Sequence, residues 1–96
     1  MHRSESLRPD LTAVVTGAGS GVGETVALAL ARQGVRVALV GRTEAKLARV
    51  AAEIAATRGI AAAFPCDLSA PGDVAALREA VLERFGPPLV LFNGAG

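Results

Sequence analysis

Leu11–Gly23 reads LTAVVTGAGSGVG, and the rest of the chain is ordered around it. Its opening, LTAVVT (11–16), is a short apolar run with β-branched residues, the pattern of a buried strand. Glycines follow at 17, 19, 21 and 23. Val22 to Gln33 then carries Val22, Val26, Ala29 and Leu30 at helical spacing, with Gly34 as its stop. Strand, glycine-rich turn and helix thus run directly into one another. Such a turn lets backbone come close to a bulky anion, which then meets the free N–H groups at the start of the helix. Gly17 permits the tight exit from the strand, Gly21 leaves room for a pyrophosphate, and Gly23 lets the helix pack against the sheet. A simple strand-to-helix turn needs one or two glycines, not four in seven residues.

Spacing separates this turn from its relatives. A phosphate loop of the Walker type ends in Gly-Lys-Ser/Thr, and no lysine stands here. The fingerprint G-x-G-x-x-G fails from Gly17, because position 22 is valine, and from Gly19, because position 24 is glutamate. The pattern that fits is T-G-x-x-x-G-x-G, from Thr16 to Gly23.

Downstream, strands and helices keep alternating. Arg36–Val40 (RVALV) is a second strand. Thr43 is placed to cap a helix over TEAKLARVAAEIAATR, whose Leu47, Val50, Ala51 and Ile54 form one stripe with Lys46, Arg49 and Glu53 opposite. Gly59 is expected to end it. Ile60–Pro65 is a third strand. Ser69 can cap a helix starting near Pro71, with Val74, Leu77, Val81 and Phe85 as its stripe and Gly86-Pro87-Pro88 as its break. Leu89–Phe92 (LVLF) is a fourth strand. A βαβαβαβ order predicts an α/β fold: a parallel, Rossmann-type doubly wound sheet with right-handed crossovers. The apolar strands suit a sheet covered on both faces. Residues 1–10 read as a loose arm and residues 11–96 as one unit.

Composition excludes several function classes. The chain has 96 residues, 51% of them hydrophobic, and a net charge of +1. That is one small domain, too apolar for disorder. No basic stripe with interleaved aromatics points to nucleic acid. One cysteine and one histidine exclude both a disulfide framework and a Cys/His zinc site, so no metal is expected. The start, MHRSESLRPD, lacks the apolar stretch of a signal peptide. The longest strongly apolar run, Pro87–Phe92, is far short of the roughly 20 residues of a membrane helix. No membrane partner and a cytoplasmic location are expected.

From about residue 11 to 96 the chain resembles the short-chain dehydrogenase/reductase family, through T-G-x-x-x-G-x-G and three further stretches in order. The first is Gly41-Arg42-Thr43 at the end of strand two. An acidic residue there accepts hydrogen bonds from the ribose of NAD, whereas an arginine pairs with the 2′-phosphate of NADP. Gly41 takes the slot where NAD-preferring members look to carry aspartate. Arg42 offers a fork of donors matched to a phosphate, and Thr43 a hydroxyl, so NADP(H) is expected rather than NAD(H). Some NADP-preferring members also carry a basic residue just before the second motif glycine, where this chain has Ser20.

The second stretch is Cys66-Asp67-Leu68-Ser69. In similar proteins an aspartate here accepts from the adenine amino group and the next residue's backbone holds the ring, which the resemblance carries to Asp67 and Leu68. Cys66 reads as a small buried hydrophobe. The third is Phe92-Asn93-Gly94-Ala95-Gly96, similar to the family's N-N-A-G segment, where small residues let the cofactor ribose lie against the backbone. The first asparagine is retained as Asn93 and the second is replaced by Gly94. The cofactor-binding set expected is therefore Gly17, Gly19, Ser20, Gly21, Val22, Gly23, Arg42, Thr43, Asp67, Leu68, Asn93, Gly94, Ala95 and Gly96.

The resemblance also implies strand order 3-2-1-4, the first part of 3-2-1-4-5-6-7, with half of the cofactor crevice between strands one and four. Family chemistry is carbonyl–alcohol redox, performed by a serine, a tyrosine and a lysine spaced Y-x-x-x-K. This chain has no tyrosine, and its single lysine is Lys46. No catalytic residue is expected in it, and it reads as the cofactor-binding half of an enzyme cut before the catalytic group. A non-catalytic nucleotide-binding or regulatory module is the second reading. A fragment that pairs its open LVLF strand with another copy is the third. The parent enzyme is expected to be a homo-oligomer.

Overall fold

A computed structural model describes residues 11–69, 71–87 and 89–93. The arm 1–10 and Gly94, Ala95 and Gly96 lie outside the described residues. The elements run β1 (Thr12–Thr16), α1 (Gly21–Arg32), β2 (Arg36–Gly41), α2 (Glu44–Ala56), β3 (Ala61–Pro65), α3 (Pro71–Phe85) and β4 (Leu89–Asn93). All seven expected elements are present. The strands pair in the order β3-β2-β1-β4, all parallel. Thr16 stands opposite Val40 on one side and Asn93 on the other, so the carboxyl ends of β1, β2 and β4 are level.

Alternation along the strands divides two cores. Val15 of β1 and Val37 and Leu39 of β2 face α1 and α2, packing on Ala27, Ala31, Leu47, Val50 and Ile54. Val14, Ala38 and Val40 face the other way, onto Leu77 and Val81 of α3. Because side chains in a strand alternate with period two, adjacent residues feed opposite layers, and continuous apolar runs are required.

Three details differ from the sequence expectation. First, α1 buries Gly23, Ala27 and Ala31 rather than the stripe through Val22 and Ala29, and Val22 is 69% exposed. Small residues spaced by four let the helix lie close to the sheet, and Val26 and Leu30 pack at the edges of that contact. Second, Leu77 and Val81 of the α3 stripe are buried, but Val74 is 56% exposed. It stands with Leu77, Arg78, Val90 and Leu91 around an open apolar hollow against β1 and β4.

Third, α2 is closed one residue earlier than Gly59. Arg58 holds the left-handed conformation, at φ 68°, and its N–H donates to Ala55 O while Gly59 N–H donates to Ile54 O. This is a Schellman closure with arginine at the position glycine normally takes. Gly59 serves packing instead, since a Cβ there would lie 2.6 Å from Ile54 Cγ2. A non-glycine residue pays roughly 1–2 kcal/mol in that conformation. Arg58→Gly is therefore expected to stabilise the fold by about 0.5–1 kcal/mol after the added unfolded-state entropy is subtracted, raising Tm by roughly 2–6 °C. A melting curve in which the variant unfolds at or below the wild-type temperature contradicts this.

Candidate functional site

The glycine-rich turn is tied to the sheet at the carboxyl ends of β1 and β2. Ala18 N–H donates to Val40 O at 3.0 Å. Gly17 and Gly21 both have positive φ, 63° and 60°, which makes the turn tight at its start and at its entry into α1. A Cβ at Gly21 would meet nothing within 4 Å, so this part of the turn faces open space. Gly23 is the opposite case. A Cβ there would collide with the Gly17 carbonyl oxygen and lie 2.6 Å from its carbon. Its contact is with the turn's own backbone rather than with the strands, a refinement of the helix-on-sheet role expected for it.

Two concavities meet at this corner. One is lined by Gly17, Gly19, Ser20, Gly41, Arg42, Thr43, Lys46 and Leu47. The other is lined by Thr16, Gly17, Val40, Gly41, Arg42, Cys66, Asp67 and Leu68. Gly17, Gly41 and Arg42 belong to both, so Arg42 stands on the shared wall. The first concavity lies between two helix starts. Ser20 is the N-cap of α1 and Thr43 that of α2, both with extended backbone and neither with a side-chain capping bond. Thr43 caps through its carbonyl, which accepts from Lys46 and Leu47 N–H at 3.1 and 3.2 Å. Thr43 is thus the N-cap that the sequence predicts, but its hydroxyl makes no capping bond. Two N-terminal helix dipoles and two hydroxyls at one cleft favour an anion there. Fully buried Leu47 forms the floor.

The second concavity is held together by Cys66 N–H, which donates to Gly41 O at 2.7 Å and fixes the chain after β3 against the end of β2. That bond brings Asp67 and Leu68 alongside Gly41 and Arg42. Cys66 is half-buried rather than buried. Burial first, then the Asp73 and Asp67 carboxylates, push its thiol above the ordinary value, which disfavours the thiolate.

At the end of β4, the Thr16 hydroxyl donates to Asn93 Oδ1 at 2.9 Å, linking the two strands at the point where the strand order reverses. The structure thus gathers Gly17, Gly19, Ser20, Arg42 and Thr43 around one cleft and Arg42, Asp67 and Leu68 around its neighbour. Exposed Val22 lines neither of them.

Two features escaped sequence reading. Lys46, on the outward face of α2, lines the first cleft. Arg49, one turn further, clamps the turn: its guanidinium donates to both Glu24 oxygens, at 3.1 and 3.2 Å, and to Gly19 O at 3.3 Å. It also pairs with Glu53 at 3.5 Å. The Arg49 hydrogen bonds hold the Glu24 carboxyl below its ordinary value. Partly exposed pairs of this kind add little stability, so the clamp matters for where it puts α2 relative to the turn. Glu24 and Gly19 are 25 and 30 residues away along the chain, and no local spacing announces those two contacts.

Among the described residues no helix is long and apolar enough to cross a membrane. The family model for short chain dehydrogenases matches residues 11–96. An uncharacterized oxidoreductase of Staphylococcus saprophyticus is 42% identical over 88 residues, covering 91% of this chain and 38% of the relative. The citronellol catabolism dehydrogenase of Pseudomonas aeruginosa superposes with a TM-score of 0.86 at 35% identity, over 93% of this chain and 37% of that one. A metagenomic short-chain oxidoreductase, solved in complex with NADP, superposes with a TM-score of 0.81 at 41% identity, over 85% of this chain and 37% of that one. The chain therefore spans less than two-fifths of the length of the proteins it matches. Across that span the match runs from β1 through β4, and the chain belongs to the short-chain dehydrogenase family, whose members bind a nicotinamide dinucleotide.

Proposed function

We propose that this chain forms the adenosine and pyrophosphate half of an NADP(H) site, in an oxidoreductase that interconverts carbonyl and alcohol groups. The observation that carries the cofactor choice is Arg42 on the wall between the two concavities, beside Gly41 at the end of β2. Among the described residues the cleft shared with Ser20 and Thr43 has no carboxylate in its lining, and none of these residues repels a 2′-phosphate or holds a free 2′-hydroxyl in the manner of an aspartate. The likeness to a short-chain oxidoreductase solved with NADP supports the same choice.

In this reading the 2′-phosphate lies against Arg42, Ser20 and Thr43. Adenine enters the neighbouring concavity, where Asp67 accepts from its amino group and Leu68 backs the ring. The pyrophosphate crosses the open face at Gly19 and Gly21, on the N–H groups that begin α1. Asn93 marks the route toward the nicotinamide, whose reduced form would supply the hydride and whose oxidised form would accept it. The residues fit the group: glycine where a phosphate must approach, cation and hydroxyls where a phosphate carries charge, and a carboxylate where adenine offers a donor.

Mapping by amide chemical shifts tests the assignment. Adding NADP to the labelled chain is expected to move Gly17–Gly23, Arg42, Thr43, Asp67 and Leu68, and to leave the middle of α3 still. Shifts centred on the Val74–Leu91 hollow, or none at the glycine-rich turn, contradict it.

A further inference from the structure

We infer that Lys46, in the first turn of α2, is a second cation of this subsite and reaches the same 2′-phosphate as Arg42. The inference rests on the NADP(H) reading above and adds a residue that sets how strongly the phosphate is preferred.

Three basic residues stand at the start of α2, and they are not equivalent. Arg49 is committed to Glu24, Glu53 and Gly19 O, so its charge is already matched. Among the described residues Arg42 and Lys46 make no ion pair, and both line the cleft with Ser20 and Thr43. Among the described residues that lining contains no aspartate or glutamate. Two like charges in one carboxylate-free cleft repel each other until a dianion enters between them. The dipole of α2, which begins at Glu44, adds to the same preference.

The stem of Lys46 is guided as well. A Cβ on Gly19 would lie 3.0 Å from Lys46 Cβ and 3.6 Å from its Cδ. The missing side chain at Gly19 is therefore what lets the lysine stem lie against the glycine-rich turn, where Lys46 lines the cleft. Arginine and lysine then divide the work by shape. Arg42 supplies a planar fork, and Lys46 a mobile point charge that can follow the phosphate.

The test uses two nucleotides that differ only at the 2′ position, 2′,5′-ADP and 5′-AMP, titrated calorimetrically into the wild-type chain, Lys46→Gln and Lys46→Arg. Lys46 is exposed, so the variants should melt like the wild type. Lys46→Gln is expected to weaken 2′,5′-ADP about 5- to 20-fold and 5′-AMP less than about 2-fold. It should also flatten the salt dependence of 2′,5′-ADP binding, and Lys46→Arg should restore most of both. If Lys46→Gln binds 2′,5′-ADP like the wild type while the wild type still prefers it to 5′-AMP, Lys46 is a solvated surface lysine and the inference fails alone. If the wild type binds the two nucleotides alike, the NADP(H) reading fails and takes this inference with it.

Discussion

Gly23→Ala is expected to destabilise the chain by about 2–3 kcal/mol, against the sign that helix propensity alone predicts. Alanine is favoured over glycine inside a helix by about 1 kcal/mol. Here that gain is opposed by a collision with backbone. The new Cβ would overlap the Gly17 carbonyl and sit 3.1 Å from Ala18 Cα, and neither atom can swing aside as a side-chain end could. Either α1 moves away from the turn or the turn opens. Both break the level arrangement of Gly17, Gly41 and Arg42, so dinucleotide binding should fall with stability. Gly72→Ala is the matched control. It makes the same chemical change early in α3, where a Cβ meets nothing within 4 Å, and it should be neutral or stabilising by up to about 1 kcal/mol. Urea unfolding of the two variants decides between packing and propensity: a Gly23→Ala chain as stable as the wild type overturns the close-contact account.

Arg42→Ala is expected to weaken NADP by roughly 10- to 150-fold, since a charge-assisted hydrogen bond is worth about 1.5–3 kcal/mol. Arg42 is exposed, so screening places the effect toward the lower end and makes it smaller at high salt. NAD has no 2′-phosphate and should lose almost nothing. Gly41→Asp should act in the opposite sense, because its carboxylate repels the 2′-phosphate and accepts from the ribose hydroxyls of NAD. The aspartate Cβ would come within 3.2 Å of Leu47 Cδ2, a flexible methyl on the cleft floor, so the substitution asks for a small adjustment rather than a refolding of β2. Equal weakening of NAD and NADP by Arg42→Ala would reduce Arg42 to a general surface charge.

The parts of this fold that were legible in the sequence are those governed by local rules. Apolar runs, glycine stops and capping positions located all seven elements, and their alternation implied a parallel sheet. The inward face of α1 was misjudged because hydrophobic periodicity favours Val22 and Val26, whereas close approach to the turn selects Gly23, Ala27 and Ala31. Arg58 in the left-handed position was hidden by Gly59 beside it, which is there to clear Ile54. In the site, the expectations for Arg42 and Asp67 rested on strand ends, Arg42 standing one residue past β2 and Asp67 two past β3. Lys46 and the Arg49–Glu24 clamp were not legible, because they depend on how α2 lies across the glycine-rich turn. Lys46 read alone is one polar position on an amphipathic helix; only Gly19, packed beneath its stem, identifies the cleft it borders.

If the end of β2 recognises a phosphate rather than a hydroxyl on the adenosine ribose, the two cofactors must bind with different affinities. Parallel calorimetric titration of the wild-type chain with NADP and with NAD, at one fixed ionic strength, tests it most directly. NADP is expected to bind tighter by roughly 10-fold or more. Equal affinities, or a preference for NAD, would contradict it.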